Sequence, residues 1–231
     1  MRLKSLEKSE KVLAVMLFGS AARKDKDTCS DKDIFVLCKD MSLSELGKVK
    51  QDFIVPTIGE EASICAYRYN DVVRMADKGS LFLWHLKLEG RMIFSKDKVL
   101  EGIIGRLKKY DSYKEDLNCY TDLFTDVENS LKKWGVLCEF DLSLLFTISR
   151  NVCMLLCYYH GQPRFGRFDV YYTARSIFGN EFPMPEELYR ELCSWKMWYE
   201  RGVKSDRDSC NKREHIFMVR KVNKLVEFAQ Q

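Results

Sequence analysis

The sequence predicts an α/β (α+β) domain over residues 1–96 followed by an all-α helical bundle over residues 97–231. Up to about residue 96, short apolar runs alternate with stretches of helical periodicity, the pattern of strands interleaved with helices. Beyond it the strand signals fade, and Gly or Pro separates one helical stretch from the next. At 231 residues the chain is long enough for two modules, each with its own core.

The elements follow in order. Leu3–Val12 is an amphipathic start that predicts a helix. Val12–Phe18 is apolar throughout, as a strand covered on both faces should be. Gly19 then supplies a turn, and Ala21 opens a short helix with Ser20 at its N-terminus. The loop 24–30 leads into a second strand, Asp31–Cys38. Ser42 reads as an N-cap, with Leu43, Leu46, Val49 and Phe53 at helical spacing behind it. In the third strand, Glu61–Tyr69, Ala62, Ile64 and Ala66 face one way, and Glu61, Ser63, Cys65 and Tyr67 the other. A helix begins near Asn70 and Asp71. Another spans Leu81–Glu89, where Gly90 reads as a left-handed stop, and a last short strand covers Arg91–Ser95. His85 in that helix reads as a packing or capping residue.

In the second module the periodicity predicts helices at Asp97–Lys108, Glu115–Leu137, Asp141–His160, Asp169–Phe178, Pro185–Glu200 and Ser209–Ala229. They form an antiparallel bundle. Cys153 and Cys157 share a helix face and read as core. The loop from Gly161 to Asp169 combines Arg164 and Arg167 with Phe165 and Phe168. It suits either a phosphate or nucleobase contact, or a loop anchored by its two rings.

Composition narrows the function. Thirty-eight basic against 34 acidic residues leave a net charge of +4, too small by itself to mark a dedicated nucleic-acid binder. Nine cysteines, an odd number without C-x-x-C pairing, argue against a disulfide framework or a structural zinc site and for a reducing cytoplasm. His85, His160 and His215 are too far apart to form a metal-ligand pattern. The charged N-terminus lacks the apolar core of a signal peptide, and no run of 18 apolar residues is present, so no membrane partner is expected.

The chemistry concentrates between Leu17 and Leu37. Asp31 and Asp33 alternate with one outward residue, so a strand projects both carboxylates from one face. Two carboxylates that close call for a cation. Mg²⁺ takes one or two carboxylates together with substrate phosphates. Gly19-Ser20 offers a tight turn, backbone N–H groups and a hydroxyl to a phosphate chain, and Gly19 suits a close backbone approach with positive φ. A P-loop is excluded, because no Gly-Lys-Ser/Thr follows.

Gly19, Ser20, Ala22 and Arg23, followed by Ser30, Asp31 and Asp33, form GSxAR and SDxD. This pairing resembles the nucleotidyltransferase superfamily of the DNA polymerase β fold, specifically its minimal and kanamycin-type antibiotic members. The strict motif covers about 15 residues, and the surrounding element order extends the likeness loosely over the first 95 or so. The resemblance implies a small mixed sheet and an enzyme that moves a nucleoside monophosphate from an NTP, ATP above all, to a hydroxyl acceptor with release of pyrophosphate. It implies nucleotide contacts from Gly19, Ser20, Arg23 and Ser30, and two Mg²⁺ ions on Asp31 and Asp33. The family's third carboxylate is expected at about Ser63. The nearest acid on that face is Glu61, two residues earlier, so either Glu61 serves as the catalytic base or the site has only two carboxylates.

The second module resembles the helical substrate-side domain of the kanamycin-type enzymes and the related HEPN domains. Arg150-Asn151 matches the start of the HEPN ribonuclease motif, but Leu155 stands where its His is expected, which argues against RNA cleavage. The acceptor remains open among a small molecule, a protein and tRNA, and the oligomeric state is open, a homodimer included. The rival reading is a catalytically impaired protein that binds a nucleotide or a toxin or antitoxin partner.

Overall fold

The computed structural model describes residues 9–23, 32–59, 62–202 and 211–231. The helix expected at Leu3–Val12 lies outside them except for its last residues, of which Val12 begins a strand. The chain divides into two compact units, Met1–Asp111 and Ser112–Gln231.

The first unit is a mixed four-stranded sheet with helices on both faces. Its strands are β1 (Val12–Phe18), β2 (Lys32–Cys38), β3 (Ala62–Arg68) and β4 (Arg91–Ser95), in the order β3-β2-β1-β4. β1 runs antiparallel to both β2 and β4, whereas β2 and β3 are parallel. Parallel neighbours need a crossover. It is made by α2 (Leu43–Val49), a π-helical stretch over Lys50–Ile54, and α3 (Val55–Ile58). Ser42 starts this run with a reciprocal capping box: its hydroxyl accepts from Glu45 N–H at 3.2 Å, and Glu45 accepts from the Ser42 N–H at 3.0 Å. Of the apolar residues expected along it, Val49 is buried while Leu43 is 69% exposed.

Because side chains alternate along a strand, each strand contributes to two cores. One face of the sheet carries Val12, Val15, Leu17, Ile34, Val36 and Ile64, packed with Val49 and Ile54 of the crossover. The other carries Ala14, Met16, Phe18, Phe35 and Leu37, covered by α4 (Tyr69–Asp77), α5 (Leu81–Glu89) and α6 (Val99–Gly105) through Val72, Leu83, Leu86, Leu100 and Ile103. The helix predicted over Asp97–Lys108 therefore packs on the sheet and not in the bundle; its apolar spacing marks a buried face without saying which core buries it. It is also shorter than predicted, following a 3₁₀ turn at Lys96–Lys98.

Gly90 departs from expectation too. It ends α5 in an extended conformation (φ −77°, ψ 147°), with no left-handed turn. What it provides is clearance, since a β-carbon there would run into Leu86 O and lie 2.5 Å from Met16 Sδ.

The second unit is a helical bundle with α7 (Tyr113–Trp134), α8 (Glu139–Tyr159), α9 (Asp169–Phe178), α10 (Glu186–Arg201) and α11 (Lys212–Ala229). α8 is the central helix and packs against the other four. By length and composition it could cross a membrane, which counting uninterrupted apolar residues did not reveal. In the bundle it is mostly buried, with Cys153 and Cys157 fully inside as expected of core residues.

Polar groups tie the bundle's loops to its core. Arg150 donates through Nη2 to Phe165 O at 2.6 Å and through Nη1 to Asn151 Oδ1 at 2.9 Å, so this pair fixes the loop that follows α8. Phe165 is buried, and Arg190 stacks over Phe168 at 5.0 Å. The loop is thus anchored by its two rings, one of the two readings its composition allowed.

Candidate active site

The site is built where β1 and β2 end side by side. Phe18, the last residue of β1, is directly opposite Asp33 in the antiparallel register. Gly19 follows with φ +67°, a left-handed turn that favours glycine. A β-carbon at Gly19 would fall on Asp33 Oδ2 and lie 3.1 Å from Cγ. Only a glycine lets the Asp33 carboxylate rest against the backbone here. The group that closely approaches Gly19 here is the Asp33 carboxylate. The chain then turns into α1 (Ser20–Arg23), where Ala22 N–H donates to Gly19 O at 3.1 Å.

On the other side of Asp33 stands Ser63, its neighbour in the parallel β2–β3 register. Three strands therefore bring Gly19, Asp33 and Ser63 to one end of the sheet, on the face that carries Phe35, Cys65 and Tyr67. Burial first, and then the nearby Asp33 carboxylate, push the Cys65 thiol above its ordinary pKa. Asp33 and Ser20 are half-exposed and Ser63 is exposed. The position beside Asp33 in this register holds a hydroxyl residue.

Asp31, Ser30 and Glu61 lie outside the described residues, as does the side chain of Arg23. Among the described residues, Asp33 included and Asp31 not, no group of three or more His, Cys, Asp or Glu side chains is arranged to hold a metal. Asp33 itself suits a hard cation, being a carboxylate at a strand end with a hydroxyl residue on the neighbouring strand.

An aromatic layer supports the face beneath. Phe82 meets Phe18 at 5.6 Å and Tyr67 at 5.6 Å, and Phe35 stacks on Tyr67 at 5.9 Å. His85 packs edge-on against Phe18 at 5.5 Å, as a packing histidine should, and its Nε2 lies 3.2 Å from Glu89 Oε2. Sequence reasoning did not single out Glu89, although its spacing of four from His85 on a helix was the available signal.

Comparison with known proteins agrees with this architecture. Residues 3–99 match the family model described as Polymerase beta, Nucleotidyltransferase. Among solved structures, the chain resembles the spectinomycin adenyltransferase AAD(9) from Enterococcus faecialis, solved with ATP and spectinomycin. The TM-score is 0.55 at 11% identity, over 100% of this chain and 98% of that one. A nucleotidyltransferase-like protein from Exiguobacterium sibiricum 255-15 matches with a TM-score of 0.38 and 11% identity, over 99% of this chain and 72% of that one. A toxin–antitoxin structure with AMP-PNP matches with a TM-score of 0.33 and 15% identity, over 57% of this chain and 94% of that one. No curated protein sequence matches the chain. The first unit has the polymerase β-like nucleotidyltransferase fold.

Proposed function

We propose that this chain is a Mg²⁺-dependent nucleotidyltransferase that moves a nucleoside monophosphate, AMP from ATP, to a hydroxyl acceptor and releases pyrophosphate. The observation that carries the reading is the contact between the Gly19 backbone and the Asp33 carboxylate at the shared end of β1 and β2. That contact pairs Gly19 with Asp33, which are separate in sequence. The family match over residues 3–99 and the fold shared with an adenyltransferase support it.

In this reading Asp31 and Asp33 hold two Mg²⁺ ions. Bound Mg²⁺ neutralises triphosphate charge and favours displacement at phosphorus. Gly19 and Ser20 receive the phosphate chain through backbone N–H groups and a hydroxyl, with Arg23 and Ser30 as further nucleotide contacts. Glu61 takes the proton from the acceptor hydroxyl. Little covalent chemistry is asked of the protein, because positioning and charge neutralisation supply most of the rate. The helical unit serves as the substrate side, with a small molecule, a protein or tRNA as acceptor, and the work is done in the cytoplasm.

Ser63 beside Asp33 favours a second reading, a nucleotide-binding protein of impaired catalysis with a toxin or antitoxin partner. One experiment separates the two. Pyrophosphate release is followed with each Mg·NTP, with and without hydroxyl acceptors, for wild type, Asp33→Asn and Glu61→Gln. The transfer reading expects turnover to fall in both variants, in Asp33→Asn through loss of a metal ligand and in Glu61→Gln by about 10²-fold or more, the scale on which loss of a proton-transfer group acts. Mg·ATP binding by wild type without release above background selects the binding protein. Equal turnover in wild type and Asp33→Asn removes the assigned site.

A further inference from the structure

The solvent face of α11 carries a row of cations that nucleotide transfer does not use. Arg213, Phe217, Arg220, Lys221 and Lys224 lie within one stripe at helical spacing. From Arg213 to Lys224 the stripe runs about 16 Å at 1.5 Å per residue. The opposite face, with Met218, Val219, Val222, Leu225 and Val226, is buried in the bundle. Lys212 adds a fifth cation at the first turn, so five cations against Glu214 and Glu227 leave this one helix a net +3 beside the whole chain's +4.

These charges are not balanced locally. Among the described residues Arg213, Arg220 and Lys224 form no ion pair. The helix's own carboxylates are engaged, Glu214 in the capping box with Asn211 and Glu227 with the Asn223 amide at 2.8 Å. The exposed Asp122 and Asp126 of neighbouring α7 make no ion pair with the stripe. Arg220 and Lys224 are like charges four apart, and Lys221 and Lys224 three apart, which costs a helix a few tenths of a kcal/mol per pair. An anionic partner would offset that repulsion.

One open ring is interleaved with the cations and a second lies at the end of α7, next to the first turn of α11. Phe217 is 49% exposed and has Lys221 Nζ 5.7 Å from its ring centroid. At the start of the stripe Lys212 Nζ lies 3.7 Å from where a β-carbon would sit on Gly135. The preceding residue, Trp134, is 67% exposed under Lys133 Nζ at 4.6 Å.

We propose that this surface, the outer stripe of α11 with Trp134 at its head, docks single-stranded nucleic acid. Cations along a line suit the phosphate backbone, and exposed rings beside them offer faces on which unpaired bases stack. A membrane surface fits less well, because α11 has buried its apolar face in the bundle and the surface offers two separate rings, Phe217 and Trp134, in place of a continuous apolar face. The proposal stands independently of nucleotide transfer, and failure of pyrophosphate release leaves it in place.

The test uses the full chain and fluorescence anisotropy with fluorescein-labelled 15-mers of oligouridylate and oligothymidylate, and a matched duplex, from 50 to 300 mM salt. Single strands are expected to bind more tightly than the duplex, with affinity falling steeply as salt rises. Replacing Arg213, Arg220 and Lys224 together by Ala should weaken binding at least tenfold and flatten the salt slope, by about 0.7 for each phosphate no longer neutralised. Phe217→Ala should weaken binding with the slope unchanged. Circular dichroism should match wild type, because these four side chains are exposed. No binding at 50 mM salt, or unchanged affinity in the triple variant, overturns the proposal. Binding to phosphatidylcholine–phosphatidylserine vesicles but not to the oligonucleotides does so as well.

Discussion

Gly19 is fixed twice, by its left-handed φ and by the carboxylate that fills the space of a side chain. Gly19→Ala meets both constraints at once. The backbone term costs about 1–2 kcal/mol, and the methyl group must push Asp33 out of its place. Isothermal titration with Mg·ATP should show affinity lowered at least tenfold while the helical signal of the bundle is kept. Unchanged affinity would mean that Asp33 does not take part in nucleotide binding. The Gly-Ser dipeptide and the Asp-x-Asp spacing were both readable in the sequence, since each is local. Their contact was not, because it depends on the antiparallel register of two strands. The same holds for Ser63: counting back along the chain could suggest its place, but only pairing with β2 sets it beside Asp33.

Elements were most legible where punctuation and apolar pattern coincide. β1, α5, β4 and α9 have the predicted ends, Val12–Phe18, Leu81–Glu89, Arg91–Ser95 and Asp169–Phe178. Periodicity fails where it has to choose between cores, as for α6, or where small size serves clearance instead of a turn, as for Gly90. α11 shows a further feature that no pattern announces. Buried His215 accepts at Nδ1 from Leu137 N–H at 3.0 Å, and its buried Nε2 has no hydrogen-bond partner among the described residues. Burial holds its pKa below the ordinary 6.5, outweighing the opposing pull of Glu214 and Asp141. The unfolded chain therefore takes up this proton first as pH falls. The stability His215 contributes is complete above pH 6.5 and is lost on acidification from there to its lowered folded pKa. Urea unfolding between about pH 5 and 7.5 should show wild type losing stability over that window more steeply than His215→Gln. Parallel pH profiles would place the proton uptake elsewhere.

Each unit of the whole molecule has its own core, the sheet with α2 to α6 in one and the bundle around α8 in the other. A ligand that binds one native unit stabilises that unit by mass action, about 2.7 kcal/mol at a hundred times its Kd. Scanning calorimetry with Mg·ATP should therefore raise the unfolding transition of the first unit and leave that of the bundle in place. A shift confined to the bundle would assign the nucleotide to the wrong unit. The topology of the sheet bears also on how the chain is made. β1 is a central strand whose outer partner is β4, with Ala14 paired to Ser95. At about 5–20 residues per second, synthesis takes roughly 3–11 s to pass from the end of β2, which covers the first edge of β1, to Ser95. For that interval the nascent chain presents an apolar seven-residue strand with one edge unsatisfied, a template on which neighbouring chains can add. Translation speed across residues 38–95 thus governs how much of this protein reaches its native sheet, and a ribosome that pauses there prolongs the exposure.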